Sequence, residues 1–277
     1  MGDAKQLIVK PISATDANRI VRALHYSGKV VNNSQVHLGV FLNGRCGGAM
    51  QFGPSLDKRK LQGLVTGTLW NEFIELNRMA FADWLPRFGE SRCIGYAMRW
   101  LKKTYPWLKW VVSFADGTQC GDGTIYRASG FVLTGINRNK SIFANADGDT
   151  ISDIGWKTGA KQVVSKTTMT KGRHILDKGG AGTKSLKACG FTELPGFQLR
   201  YIYFLDPTAR DRLTVPILPF SEIDKRGAGM YKGKQRKQSC AGSIAFDASG
   251  SQPEEGGSTP TPALHLEAEG MANAPQA

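Results

Sequence analysis

The sequence lacks any apolar run long enough to cross a bilayer. One of its longest, Leu108 with Trp110 to Val112, falls far short of the roughly 20 residues a membrane helix needs. The first residues, Met1-Gly2-Asp3-Ala4-Lys5-Gln6, lack the hydrophobic stretch behind a basic start that marks a secretory leader. Cysteine is sparse: Cys46, Cys93, Cys120, Cys189 and Cys240 are odd in number and never form a Cys-x-x-Cys pair. That excludes a disulfide frame or zinc ribbon and implies reduced thiols in a cytoplasmic setting. The 4 histidines have no partners at metal-ligand spacing, so no metal-binding residue is assigned. No Gly-x-Gly-x-x-Gly follows the first strand and no Gly-x4-Gly-Lys-Ser/Thr occurs, which disfavours dinucleotide-binding and nucleoside-triphosphatase folds.

Acid is the scarcer charge: 36 Lys and Arg face 23 Asp and Glu in 277 residues, for a net +13. The imbalance is local. All the basic residues precede residue 241, so the body carries +18, and the last stretch carries −5 with no Lys or Arg. A body of that charge attracts polyanions, of which nucleic acid is the commonest. From residue 239 onward Ser, Gly, Pro, Glu and Ala dominate, a composition that cannot bury enough to order itself, so 239–277 reads as a disordered tail. The remaining 1–238, in a chain 41% apolar, is ample for one domain.

Within that domain Leu7 to Val9, closed by Lys10-Pro11, reads as an edge strand. Ser13-Ala14-Thr15-Asp16 is a capping box, followed by Ala17, Ile20, Val21 and Leu24 at helical spacing. Gly28 supplies the stop after His25-Tyr26-Ser27. Val36 to Leu42, Asn43-Gly44 and Cys46 to Phe52 form a hairpin. Asn71 to Phe81 alternates like a strand. Ser91 is the expected cap of a second helix, with Ile94, Ala97, Met98, Leu101 and Tyr105 on one face. Leu108 to Ala115 suits a central strand covered on both faces. A glycine-rich loop from Asp116 to Gly123 opens a short helix ending at Gly130. Leu199 to Leu205 is a last strong strand, and 139–190 reads as an irregular basic insertion or a hairpin. The order implies an α/β domain with a mixed central sheet flanked by helices.

Chemistry concentrates in few places. Asp116 leaves a central strand at the end where α/β sheets bind ligands, with Tyr126 one turn into the next helix. Arg78 falls on the apolar face of its strand with Ile74, Leu76 and Ala80, and there it needs an anionic partner, from the protein or a ligand. Glu75 and Asn77 share the other face and read equally well as solvated surface. His25 and Tyr26 sit together at a loop edge, suited to stacking or hydrogen bonding an extruded base. Arg87 and Arg92 flank Ser91 at a helix start, a setting for phosphate. Lys225, Arg226, Lys232, Lys234, Arg236 and Lys237 cluster around Tyr231 as a nucleic-acid contact.

Taken together, His25-Tyr26-Ser27-Gly28-Lys29, Glu75-Leu76-Asn77-Arg78-Met79, Ser113 to Gly117, Tyr126 to Phe131 and Gly227 to Gly233 resemble the Mom DNA-modification proteins of bacteriophages over about residues 5 to 235. The resemblance implies a GNAT-like fold and a transferase that puts a carbamoylmethyl group on N6 of adenine in double-stranded DNA, shielding phage DNA from host restriction. It points to His25, Tyr26, Arg78, Asp116 and Tyr126 as functional, with Tyr126 as a general acid. It implies an acyl-CoA or a glycine-derived donor and leaves open a role for iron and a homodimer. The loop Arg87-Phe88-Gly89-Glu90-Ser91-Arg92 has one glycine and an acid where acetyltransferases of that fold use two small residues for the coenzyme A pyrophosphate. Two rival readings remain: a conventional acyltransferase acting on a small-molecule or protein amine, and a non-enzymatic basic DNA-binding protein.

Overall fold

A computed structural model of the chain describes residues 3–146, 148, 150–153, 156, 183–231 and 234–235. All of them lie in the unit Met1–Gln238, and the expected disordered tail lies outside the described residues. Strand β1 (Ile8–Pro11) leads into α1 (Ala14–Leu24). The Ser13 hydroxyl accepts from the Asp16 amide at 3.0 Å and donates to the Asp16 carboxylate at 2.8 Å, closing the capping box that the sequence announces. Ala17 and Val21 are buried beneath it. The helix ends at His25 as its C-cap, so Gly28, at φ +58°, turns the chain three residues later than a helix-stopping glycine would.

The hairpin β2 (Val36–Leu42) and β3 (Arg45–Gly53) turns through Asn43 and Gly44, both at positive φ, the pairing a type I′ turn requires. Helix α2 (Lys58–Gln62) then precedes β4 (Phe73–Phe81), α3 (Gly89–Thr104) and β5 (Trp110–Asp116). After α4 (Thr124–Ala128) come β6 (Val132–Arg138), β7 (Ile142–Ala144) and β8 (Thr150–Ser152). The chain continues with α5 (Thr183–Ala188), β9 (Thr192–Glu193), β10 (Phe197–Phe204), α6 (Ser221–Lys225), and the short β11 (Met230–Tyr231) and β12 (Lys234–Gln235).

The main sheet has seven strands in the order β1-β2-β3-β4-β5-β10-β6. Every pair is antiparallel except β4 with β5. It is the mixed sheet flanked by helices that the sequence implies. Strand β5 is interior and covered on both faces: Val111 packs with Ile94, Met98 and Leu101 of α3, and Val112 packs with Trp110, Leu61 and Val65 on the other side. Each such fully buried side chain contributes about 1.5–3 kcal/mol. Among the described residues, no helix is long and apolar enough to cross a membrane.

One expectation requires correction. Helix α3 begins at Gly89 with Phe88 as N-cap, and Ser91 lies inside the first turn, donating its hydroxyl to the Phe88 carbonyl at 3.2 Å. Ser91 is therefore not the cap. Within 139–190, β7 pairs antiparallel with β8, in keeping with the hairpin alternative, and β9, just beyond it, pairs with β7 in the same small sheet. Residues 157–182 lie outside the described residues.

Candidate active site

The parallel pairing of β4 with β5 is brief. Phe73, Ile74 and Glu75 align with Trp110, Val111 and Val112. Beyond them β4 stays registered with β3 as far as Phe81, and β5 with β10 as far as Asp116. The two strands thus part at the middle of the sheet. Ser113, whose hydroxyl reaches the Leu76 carbonyl at 3.5 Å, sits at the root of the opening.

A bulge sets the first bank. Arg78 stands opposite Gln51 but Leu76 stands opposite Phe52, so Asn77 is the extra residue and the strict alternation of β4 breaks there. This corrects the expectation that Arg78 shares the apolar face with Leu76. Arg78 instead donates from Nε to the Lys29 carbonyl at 3.0 Å and from Nη1 to the Asn77 carbonyl at 2.7 Å. It makes no ion pair among the described residues. Neutral carbonyls leave the charge uncompensated at short range, which favours an anionic ligand beside it. Burial holds the Arg78 pKa below its ordinary value, opposed by nearby Tyr26, Glu75 and Tyr126. Glu75 is pushed up, chiefly by burial, and Arg78 opposes the rise. Glu75 is therefore shielded from solvent and within electrostatic reach of Arg78.

Asp116 forms the second bank at the end of β5. Its Oδ1 accepts from the Thr118 amide and from Asn139 Nδ2, both at 3.0 Å. Asn139 is itself pinned, since its Oδ1 accepts from the Ser141 hydroxyl at 2.6 Å and the Ser141 amide at 3.1 Å. One carboxylate oxygen is thus held by two protein donors. The loop beyond is fixed by Gly123 at φ +83°, where Tyr201 packs so closely that any Cβ would collide with its ring.

Tyr126 of α4 packs its half-buried ring at 5.5 Å from Phe131 and 5.4 Å from Tyr201. Burial pushes its pKa up to about 12, with the adjacent Ser113 hydroxyl pulling it back. The phenol is therefore protonated throughout the neutral range. Across the opening, the His25 and Tyr26 rings lie 4.2 Å apart at 32°. Burial first, and then Arg78, lower the His25 pKa to about 3, so its imidazole is neutral. His25 Nδ1 accepts from the Ser27 amide at 3.2 Å, which places the ring proton on Nε2. Tyr26 leaves 44% of its surface exposed, yet its hydroxyl end is crowded by protein, and that burial raises its pKa with Asp116 adding to the rise.

The structure thus brings His25, Tyr26, Arg78, Asp116 and Tyr126 to one opening. Beside them lie Glu75, which the sequence left open as solvated surface, and Ser113, Cys120 and Asn139, to which it gave no role. Cys120 is exposed and acts electrostatically on both Tyr26 and Tyr126. Arg87 and Arg92 are exposed at the start of α3. That turn is tied to the end of α4, where the Ser129 hydroxyl donates to the Ser91 carbonyl at 3.5 Å. Lys225 and Arg226 both pair with Glu222, at 3.2 and 3.1 Å, so their charge is partly spent within the protein. Lys234 lies on β12, whose partner β11 bridges to Gly121 through Tyr231, next to the Asp116 loop. Lys232, Arg236 and Lys237 lie outside the described residues.

The start of α3 does not fit a coenzyme A pyrophosphate. Phe88 occupies the N-cap at φ +64°, the Gly89 amide is taken by the Pro86 carbonyl at 3.0 Å, and Glu90 places a carboxylate in the first turn. No three His, Cys, Asp or Glu side chains gather as a metal-ligand group among the described residues.

A mixed sheet whose single parallel pair parts beside a half-buried tyrosine and a strand-end aspartate defines an α/β fold with a candidate site at its middle. Residues 6–222 match the Mom protein family. The chain belongs to that family. It is 35% identical over 226 residues to the protein named Methylcarbamoylase mom of Escherichia phage Mu, an alignment covering 80% of this chain and 85% of that one. Among solved structures it aligns with the ribosomal-protein-S18-alanine N-acetyltransferase from Escherichia coli at 11% identity and TM-score 0.38, over 72% of this chain and 94% of the other. It also aligns with the IAA acetyltransferase from Bacillus cereus at 10% identity and TM-score 0.36, over 72% and 99% of the two chains.

Proposed function

We propose that this protein is a transferase that modifies N6 of adenine in double-stranded DNA, leaving a carbamoylmethyl group that protects phage DNA from host restriction. The observation that carries the reading is the convergence of Arg78, Asp116, Tyr126 and the His25–Tyr26 pair on one opening in a member of the Mom family. The basic body supplies attraction to DNA. N6 lies inside the base stack, so the target adenine is flipped out, at a cost of a few kcal/mol that phosphate contacts offset.

In the cleft Tyr26 stacks the flipped base, and neutral His25 offers its Nε2–H to a ring nitrogen. Adenine N6 is a weak nucleophile because its lone pair is delocalised into the ring, so a base must take its proton as the bond forms. Asp116 has one oxygen held by Thr118 and Asn139, and the other accepts that proton. The N6–carbon bond forms as the donor's bond to its leaving group breaks. The Tyr126 phenol then gives its proton to that leaving group, a role suited to a hydroxyl that burial keeps protonated. Arg78 pairs with an anionic group of the donor or a DNA phosphate. To leave a carbamoylmethyl group the donor delivers a methylene carbon to N6, as a glycine-derived donor does, whereas simple transfer from an acyl donor would leave an N-acyl group; no step depends on coenzyme A. Asp116→Asn tests the reading: it retains DNA binding and abolishes modification, whereas equal loss of both would mark Asp116 as structural.

A further inference from the structure

The N-terminal end of β4, away from the cleft, borders a cavity of about 850 Å³ whose lining includes Gln35, Lys58, Trp70, Asn71, Tyr105 and Trp107. Two features set it apart from ordinary surface. Trp70 and Trp107 leave 50% and 53% of their area exposed, a costly display of apolar surface on two large side chains. Lys58 holds its ammonium 4.7 Å from the Trp70 ring centre and 5.3 Å from that of Phe73. It makes no ion pair among the described residues, and desolvation lowers its pKa. Arg59 and Lys60 follow on α2, and Lys102 and Lys103 end α3 just before Tyr105, all exposed. The carboxylates here are Asp57 and Glu72, and Glu72 is occupied by the Leu69 amide at 2.8 Å. Indole faces interleaved with unpaired cations are how proteins hold a nucleic-acid strand: cations on phosphates, rings on bases and sugars.

We propose that this groove is a second DNA contact, holding the strand that flanks the target adenine. The proposal rests on DNA being the substrate. Strand β4 links the two places, since Phe73 and Ile74 line the groove and Arg78 borders the cleft. From Ile74 to Arg78 is four steps of about 3.3 Å, roughly 13 Å, or about four base steps of 3.4 Å along a strand. The segment from Lys29, whose carbonyl takes the Arg78 hydrogen bond, to Gln35 at the groove runs the same way. DNA seated with an adenine in the cleft therefore reaches the groove within half a helical turn.

The test is the affinity of the full chain for a 30-base-pair duplex, measured by fluorescence anisotropy across a salt series. The triple change Lys58→Ala, Arg59→Ala and Lys60→Ala lowers the slope of log affinity against log salt by about 2–3, near 0.9 per phosphate contact. The pair Trp70→Ala and Trp107→Ala lowers affinity about tenfold with the slope unchanged. Wild-type affinity and slope in both variants would overturn the groove. The two sets touch different residues, so misfolding of one, seen in its circular dichroism, leaves the other to decide. Modified adenine is read separately, by mass spectrometry of DNA from cells expressing the wild-type chain. Its absence overturns the proposed function, whereas its presence with unaffected binding in both variants overturns the groove alone.

Discussion

Asn139 Nδ2 donates to Asp116 Oδ1 at 3.0 Å across 23 residues of sequence. The first residue of the insertion therefore braces the carboxylate at the end of the central strand. Asn139 also donates to Thr118 Oγ1 at 3.2 Å, and its amide is fixed by the Gly196 carbonyl at 2.9 Å. The neck of the insertion is thus part of the cleft's frame. Asn139→Ala removes one of two donors to the same oxygen. A hydrogen bond to a charged group contributes about 1.5–3 kcal/mol, so turnover falls roughly ten- to hundredfold while DNA affinity is retained. Single-turnover modification and a binding titration on the same preparation check this.

Tyr126→Phe removes the proposed proton source and leaves the ring packing on Phe131 and Tyr201 intact. The expected loss is about 10²- to 10⁴-fold in the chemical step, with little change in melting temperature. Because the phenol ionises only near pH 12, the wild-type rate shows no alkaline fall from Tyr126 between pH 7 and 10. A pH–rate profile measured with saturating DNA tests both points.

His25 gives a stability prediction. Its pKa is near 3 in the folded protein and about 6.5 when unfolded, so the unfolded chain binds more protons between those values. Stability from this group is complete above about pH 6.5 and is lost as the pH falls toward 3. His25→Asn removes that part of the acid sensitivity. Thermal melts at pH 7, 5 and 4 compare the two chains, and identical pH dependence would refute the buried neutral imidazole.

Gly123→Ala introduces a side chain where φ is +83° and the Tyr201 ring is already in contact. Positive φ and the collision both disfavour alanine, by more than 1 kcal/mol together. The Tyr201 hydroxyl, which donates to the Asp122 carbonyl at 2.5 Å, must shift to make room. A lowered urea midpoint is expected, and an unchanged midpoint would mean that the loop relaxes freely.

Local signals carried much of the fold. Ser13 with Asp16, Asn43 with Gly44, and the doubly apolar run around Val111 and Val112 each determine their element through nearest neighbours. The sequence signals for Asp116 and Tyr126 were likewise local, a strand end followed by a glycine-rich turn. What stayed hidden depends on register and long-range closure. The bulge at Asn77 follows from how β4 meets β3, so alternation alone puts Arg78 on the wrong face and leaves the setting of Glu75 open. Asn139 reaches Asp116 only because β6 and β5 both flank β10, a relationship with no short-range signature. Phe88 became the N-cap of α3 although Ser91 is the better capping residue, because the turn from Pro86 closes on Gly89.

The central claim is that the cleft transfers a group to adenine in DNA. Its most direct test is mass spectrometry of nucleosides digested from DNA of cells expressing either the wild-type chain or Asp116→Asn. The account predicts adenosine nucleosides carrying the mass of a carbamoylmethyl group with the wild-type chain and unmodified adenine with Asp116→Asn. Unmodified adenine with both chains, or equal modification with both, would contradict it.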